Sequence, residues 1–291
     1  MKHLCATLLT FLFLLPCLAM ADCPVYFDLS DAEAQKLFQA DTPILEIVFP
    51  SIAGCDACIL RMGDEVLMID AAYDSMTETG VIAALKAMDI SHIQTAFVTH
   101  PHDDHVRGFF VLCREGYTFD RMYLCFDENA NGHSIRAVRA MRESGAEILS
   151  IEDGEVLTLG QASLTMIQRK GPSFTVNDLS GLLRVQYGDA VYLATGDIEN
   201  RAQAALATDP PVCTLKADIM KHPHHGYAKM DDHFLELVAP QYVIVTGMRN
   251  HIADATSYLD RIGIRWERPW QHPIRMRTDG HIWVIDHLPG A

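Results

Sequence analysis

The stretch at residues 95–105 constrains this 291-residue chain most. Residues 95–99 form a short apolar run of buried-strand type, which passes straight into His100-Pro101-His102-Asp103-Asp104-His105. Three imidazoles and two carboxylates thus follow a strand end within six positions. A strand end fixes the backbone, and the loop after it can fold its side chains toward one point. Imidazole and carboxylate together suit zinc, and also manganese or iron. The bland alternative is a solvated polar loop, but a cluster of this composition rarely begins at a strand end by chance.

A metal pair needs more ligands than one loop holds, and two further strand ends offer them. Ala194-Thr195-Gly196-Asp197 brings an apolar strand to a carboxylate, which can bridge two cations with one oxygen to each. Lys221-His222-Pro223-His224-His225-Gly226 adds three imidazoles. A Gly-Asp after a strand is by itself an ordinary turn or helix cap. Beside the first cluster, the three loops are expected to converge on one sheet edge.

The surrounding pattern is α/β (α+β). Strands are predicted at 44–49, 57–62 and 65–70, the last two as a hairpin joined by Gly63-Asp64. Apolar spacing predicts a helix at 81–88. Strands follow at 122–126, 155–159, 162–167, 182–187, 191–195, 218–221, 242–245 and 281–285. Helices are expected at 108–113, 134–142, 198–207, 232–238 and 252–262. Two packed sheets with helices outside satisfy this order. No Ser/Gly tract, charge run, Pro-rich stretch or repeat interrupts it, so 22–291 is expected to be a single domain.

Composition is globular, 49% hydrophobic and 21% charged. Residues 1–21 read as a signal peptide: Lys2, an apolar stretch at 4–18, and the small-x-small site Ala19-Met20-Ala21. The mature chain would begin at Asp22 and be secreted or periplasmic. The apolar run falls short of the ~20 residues of a spanning helix, which argues against an anchor and stable membrane insertion. Pro16 before Cys17 argues against lipidation. The formal charge is −15, and losing Lys2 makes it more negative. Such a surface repels polyanions, and no basic strip offsets it, so long nucleic acid is a disfavoured partner. Cys23, Cys55, Cys58, Cys113, Cys125 and Cys213 would remain after cleavage. In an exported chain they permit disulfides; buried free thiols are the next reading. A redox or metal role for Cys55-Asp56-Ala57-Cys58 comes last.

His100-x-His102-x-Asp104-His105 resembles the HxHxDH signature of the metallo-β-lactamase superfamily, a four-layer αββα sandwich of hydrolases and some oxidoreductases. The resemblance extends from about Ile44 to the C-terminus. Residues 58–70 look like the family's opening hairpin, ending in the Asp that props the metal loop. Asn177-Asp178-Leu179-Ser180, followed by Thr195-Gly196-Asp197, resembles the "NxxS … TGD" segment in the catalytic domain of competence-type DNA-processing proteins. His224-His225-Gly226, Asn250-His251 and Arg277-Thr278-Asp279-Gly280 follow that subgroup's order. The spacing is also similar to that of secreted phosphorylcholine esterases.

The resemblance implies two divalent ions, zinc or manganese. His100 and His102 would bind the first, Asp104 and His105 the second. Asp197 would bridge, and His225 would complete the second site, with His224 as the competing choice. Asp70 and Ser180 are alternative ligands or supports. The chain departs from the family in lacking a third histidine for the first metal: only His133 lies between His105 and Asp197, and Asn177 or Ser180 would fill that space. Arg107-Gly108 replaces the usual Gly-Gly; Arg107 would meet a phosphate or, more simply, a surface carboxylate.

The implied mechanism is attack by a water shared between two cations, its pKa lowered toward ~7. Asp104 would orient it, and His251 or Asn177 would stabilise the transition state or assist the leaving group. The expected activity is hydrolysis of a small or short phosphodiester. The alternatives are a lactam, lactone or thioester substrate, or a metal-binding protein with little catalysis. Trp266, Trp270 and Trp283 read either as a cage for a quaternary ammonium or as core, and core is the simpler reading.

Overall fold

The computed structural model describes residues 22–209, 211 and 214–290. The expected signal peptide and Cys213 lie outside them. The first half of the chain runs β1 (Val25–Phe27), α1 (Asp31–Leu37), β2 (Leu45–Phe49), β3 (Ala57–Met62), β4 (Glu65–Ala71) and α2 (Asp74–Met76). A π turn (Thr77–Val81) leads to α3 (Ile82–Ala87), β5 (His92–Val98), α4 (Asp103–Val106), α5 (Gly108–Arg114), β6 (Thr118–Leu124), α6 (Gly132–Glu143) and β7 (Glu147–Ser150). The second half runs β8 (Val156–Leu159), β9 (Ala162–Ile167), β10 (Leu182–Tyr187), β11 (Ala190–Ala194), α7 (Asn200–Thr208) and β12 (Ile219–Lys221). A 3-10 turn (Pro223–Gly226) precedes α8 (Asp232–Val238), β13 (Tyr242–Ile244), α9 (Ala253–Ile262), β14 (Arg265–Glu267), β15 (Ile274–Thr278) and β16 (Trp283–His287).

The strands form two sheets, ordered β1-β16-β15-β2-β3-β4-β5-β6-β7 and β14-β13-β12-β11-β10-β9-β8. Each combines an antiparallel ribbon with a parallel run. β2, β3 and β4 are antiparallel, then β4 to β7 pair in parallel. β8 to β11 are antiparallel, then β11 to β14 are parallel. The parallel strands need crossover helices, which cover the outer faces.

This explains the near-continuous apolar runs. In β10 and β11, Leu183, Val185, Tyr192 and Ala194 face the space between the sheets, with Ile47, Leu60, Phe97 and Ile244. The alternate residues Leu182, Val191 and Leu193 pack outward on Leu206, Phe234 and Leu259 of the helices. The first sheet does the same: Val48, Ile59, Met68 and Val98 meet Leu85, Phe109, Leu112 and Met141. Both faces of each sheet are therefore buried, giving four layers, α/β/β/α. Each fully buried Leu, Ile or Phe side chain contributes ~1.5–3 kcal/mol to this packing.

Seven elements were not legible: β1, α1, α2, α4, β7, β14 and β15. In β15, Ile274 and Met276 enter the inner core. The intervening Arg275 and Arg277 break the apolar run and pair with Asp286 across β16 and with Asp31. The short α1 is set by Ser30 and Glu33, which form a reciprocal capping box.

The disulfide expectation is corrected for the described cysteines. Cys23, Cys55, Cys58, Cys113 and Cys125 are all free thiols. They sit on separate elements: Cys58 between the sheets, Cys113 on α5 against Met141, and Cys125 with Sγ 3.0 Å from the Thr99 carbonyl. Burial pushes the Cys125 thiol up to about 12, so it is inert at neutral pH. The tryptophans do not form a cage. Trp283 is in the inner core, Trp266 lies under the second helical layer with Nε1 donating to Asp260, and Trp270 is half exposed.

Candidate metal centre

The strand ends expected to converge do so, and the first of them is tied down by Asp70. This residue, next to last in β4, has a positive φ of 56°. Its carboxylate accepts hydrogen bonds from Thr99 N at 2.9 Å and Thr99 Oγ1 at 2.7 Å, just past β5. It also lies 2.7 Å from His105 Nδ1. Asp70 thereby sets the ring of His105 so that Nε2 points inward. Gly108 lets the loop close: a Cβ there would sit 1.8 Å from the Ala71 carbonyl oxygen.

A second imidazole is held in the same manner. His225 Nδ1 lies 3.1 Å from Asp56 Oδ1 and 3.0 Å from Thr246 Oγ1. Its Nε2 lies 3.1 Å from Asp197 Oδ2 and 3.2 Å from Asp104 Oδ2. His105 Nε2 lies 3.2 Å from the same Asp197 oxygen and 3.9 Å from Asp104 Oδ1. His105 Nε2 is wholly buried and has no hydrogen-bond partner. A buried ring nitrogen left without a partner among carboxylate oxygens is what a divalent ion would satisfy, and separations of this size suit donors with ~2.0–2.2 Å bonds to one ion. The residues therefore fit a metal.

Asp56, His105, Asp197 and His225 have donor atoms within 4.8 Å of one another, all four buried. Asp56 plays a different part from the others. Its oxygens are taken by Lys221 Nζ, by Thr246 Oγ1 at 2.6 Å and by His225 Nδ1. It stands behind His225 and orients it, while Asp104, more open, faces the metal space. His100 and His102 adjoin this space. His100 Nε2 is 3.0 Å from His102 Nδ1 and 3.9 Å from Asp197 Oδ2.

Lys221, at the end of β12, is 2% exposed. Its ammonium donates to the Gly196 carbonyl at 2.7 Å and to Asp197 Oδ1 at 3.1 Å, and pairs with Asp56. One oxygen of Asp197 is thus committed to lysine, and Oδ2 alone faces the imidazoles. This differs from the expectation of one oxygen for each cation. Ser180 offers nothing to the metal space. Its hydroxyl accepts the Asp197 N–H at 3.1 Å and fixes that backbone.

Electrostatics follow from this packing. Burial works against charge on His105 and His225. Asp197 with Asp70 outweighs it at His105, and Asp197 with Asp56 at His225, holding both well above the ordinary imidazole value. Burial also opposes ionisation of Asp197, but His225, His105 and Lys221 keep it well below the usual carboxylate range. Asp104 falls to about 2: burial opposes this, and the His225 bond and the nearby imidazoles prevail. Burial, reinforced by His105, keeps His100 neutral, the form that ligates.

The remaining candidates lie further out. Asn177 donates to Glu199 Oε1 at 3.0 Å, with Nδ2 3.4 Å from His224 Nε2. His251 is exposed on the rim, its ring 5.6 Å from Tyr227, whose ring lies tilted 5.3 Å from that of His225. His222 is buried with Nδ1 2.8 Å from the Pro223 carbonyl, and burial lowers it to about 4. His133 is exposed in the first turn of α6. Arg107 pairs with Asp74 and Asp103 at the surface. A cavity of about 430 Å³ opens beside the centre, lined by Thr175, Asp178, Glu199, Arg201, His224 and Tyr227 among others.

Asp56, Lys221 and Glu199 were not singled out from sequence. Each left a signal: Asp56 and Lys221 are lone charges in buried runs, and Glu199 follows Asp197 by two residues.

No curated protein matches the chain in sequence. Among solved structures it resembles YhfI, a metallo-beta-lactamase fold protein from Bacillus subtilis. The TM-score is 0.51 at 12% identity, covering 77% of this chain and 95% of that one. It also resembles CmlA, a diiron beta-hydroxylase from Streptomyces venezuelae, with a TM-score of 0.54 at 13% identity, covering 82% of this chain and 54% of that one. At such identities these likenesses concern the fold alone. The family model for the metallo-beta-lactamase superfamily matches residues 53–240, well over half of the chain. The chain belongs to the metallo-β-lactamase superfamily.

Proposed function

We propose that the protein is an exported, two-metal phosphodiesterase acting on small or short phosphodiesters. The observation that carries this reading is the pair of carboxylate-held imidazoles, His105 and His225, which share one space with Asp104 and Asp197 beside His100 and His102. The phosphorus preference rests on the sequence resemblance of Asn177–Ser180, Thr195–Asp197 and His224–Gly226 to phosphodiester-cleaving relatives. The acidic chain favours short substrates over long polyanions. Export rests on residues 1–21; among the described residues no helix is long and apolar enough to cross a membrane.

His100 and His102 would hold the first ion, Asp104, His105 and His225 the second, and Asp197 would serve both. Two divalent ions, zinc or manganese, would supply there an acidified water and a sink for negative charge. The chain's own residues then position the reactants. Asp70 and Asp56 fix the two rings. Asp104, the most open of the carboxylates, orients the nucleophile through its second oxygen. The Asn177 amide and, on the rim, His251 would steady the transferred group.

The test is elemental analysis of the mature chain, with bis-p-nitrophenyl phosphate hydrolysis assayed before and after chelation. Two ions per chain and chelator-sensitive cleavage are expected. Asp197→Asn should remove at least one ion and the activity while the circular dichroism stays unchanged. Nitrocefin turnover without phosphodiester cleavage would move the assignment to carbonyl chemistry. Full activity in the metal-free protein would end the metal reading.

A further inference from the structure

The first metal has a ligand deficit in sequence, and His224 is placed to fill it. Besides His100, three imidazoles turn Nε2 toward the same oxygen, Asp197 Oδ2: His225 at 3.1 Å, His105 at 3.2 Å and His224 at 4.0 Å. Each has its own carboxylate on Nδ1. Asp70 holds His105 at 2.7 Å, Asp56 holds His225 at 3.1 Å, and Glu199 holds His224 at 3.3 Å. A metal-ligating histidine characteristically gives its other ring nitrogen to a carboxylate, which fixes the tautomer and raises the ligand's basicity. The Asn177 amide nitrogen, 3.4 Å from His224 Nε2, agrees with that tautomer: it donates toward a free lone pair, while Nδ1–H is given to Glu199.

Asp104 separates the three rings into two groups. His105 and His225 both lie within ion-pair distance of it, whereas His224 has no such contact. His224 instead shares Asp197 Oδ2 with His100, whose Nε2 is 3.9 Å away. The backbone shows how two adjacent histidines can serve different ions. His224 has φ 45° and ψ 52°, and His225 has φ 54° and ψ 1°. Two successive non-glycine residues with positive φ are strained, and such strain persists where the surroundings over-determine it. Here both rings are pinned, by Glu199 and by Asp56.

The geometry points to His224 as the third nitrogen ligand of the first metal, with His100, His102 and Asp197, and to Glu199 as its positioning residue. This inference rests on the two-metal reading above. It gives the two adjacent histidines separate ions, instead of making them rivals for one.

The experiment counts ions in wild type, His224→Ala and Glu199→Gln, by equilibrium dialysis against zinc and by cobalt(II) absorption, with circular dichroism melts to verify folding. Wild type should take up two ions. His224→Ala should take up one at the zinc level that saturates wild type and lose one component of the cobalt spectrum; added imidazole should restore it. Glu199→Gln should keep two ions but bind one of them ~10–100-fold more weakly. A folded His224→Ala that binds two ions at wild-type affinity, with an unchanged cobalt spectrum, overturns the proposal. A wild type that saturates at one ion overturns the two-metal reading, and the proposal with it.

Discussion

Replacing Lys221 by Met should destabilise the metal-free protein far more than the metal-loaded one. The ammonium is buried against Asp197 Oδ1, Asp56 and the Gly196 carbonyl. Methionine keeps the length and apolar stem but leaves two buried carboxylates without their cation. Removing one partner of a buried ion pair costs about 3–5 kcal/mol. At about 2 °C per kcal/mol for a chain of this size, the chelated variant should melt ~6–10 °C below chelated wild type. Bound divalent ions supply positive charge to Asp197 from its other oxygen, so the deficit should shrink when metal is present. The assay is a thermal melt of both proteins with excess chelator and with excess zinc. Equal losses in the two conditions would refute the reasoning, because Lys221 would then be contributing packing alone. So would a loss under about 1 kcal/mol in the chelated protein, since the carboxylates would then be relaxing into solvent.

Two other perturbations follow from the same geometry. Asp70→Asn removes the charge that sets His105, and should weaken zinc binding ~10–100-fold while leaving the ion count unchanged at saturation; competition with a chromophoric chelator reads it, and unaltered affinity would show that Asp70 serves the backbone only. His105 and His225 have folded pKa values well above the ordinary 6.5, with burial opposing and Asp197, Asp70 and Asp56 prevailing. A raised folded value gives stability that is fully present below the unfolded pKa and lost as pH rises through the folded one. The chelated protein should therefore lose melting temperature as pH rises above about 6.5, while zinc affinity increases as protons leave the two rings. A chelated melting temperature that is flat or rising between about pH 6 and 9 would contradict this sign.

The sequence carried most of the layers and the metal loops because both write strong local signals. Strands buried on both faces read as apolar runs, and His100 to His105 concentrates donors in one loop. What it hid were features defined by distant partners. Arg275 and Arg277 look like loop residues until Asp286 and Asp31 are brought beside them. Asp56 sits between two cysteines, which drew attention to sulfur chemistry; its role exists only because Lys221, Thr246 and His225 reach it across the fold. Glu199 is unremarkable until His224 adopts a left-handed backbone and turns toward it. The choice between His224 and His225 could not be made from adjacent letters, since separating them takes the carboxylate behind each ring.

The spread of the site along the chain also bears on time. Its side chains run from Asp56 to His225 and come from the ends of strands in both sheets. The loop from His100 to His105 supplies only part of the set, and Asp197 and His225 join it only when both sheets are in place. Capture at full affinity would wait until the two sheets have docked. Interactions absent from the transition state act on unfolding and leave folding nearly untouched. Metal bound there would work as a latch, lengthening the life of the native state without hastening arrival there, and a chelator should shorten that life while refolding proceeds at its usual pace.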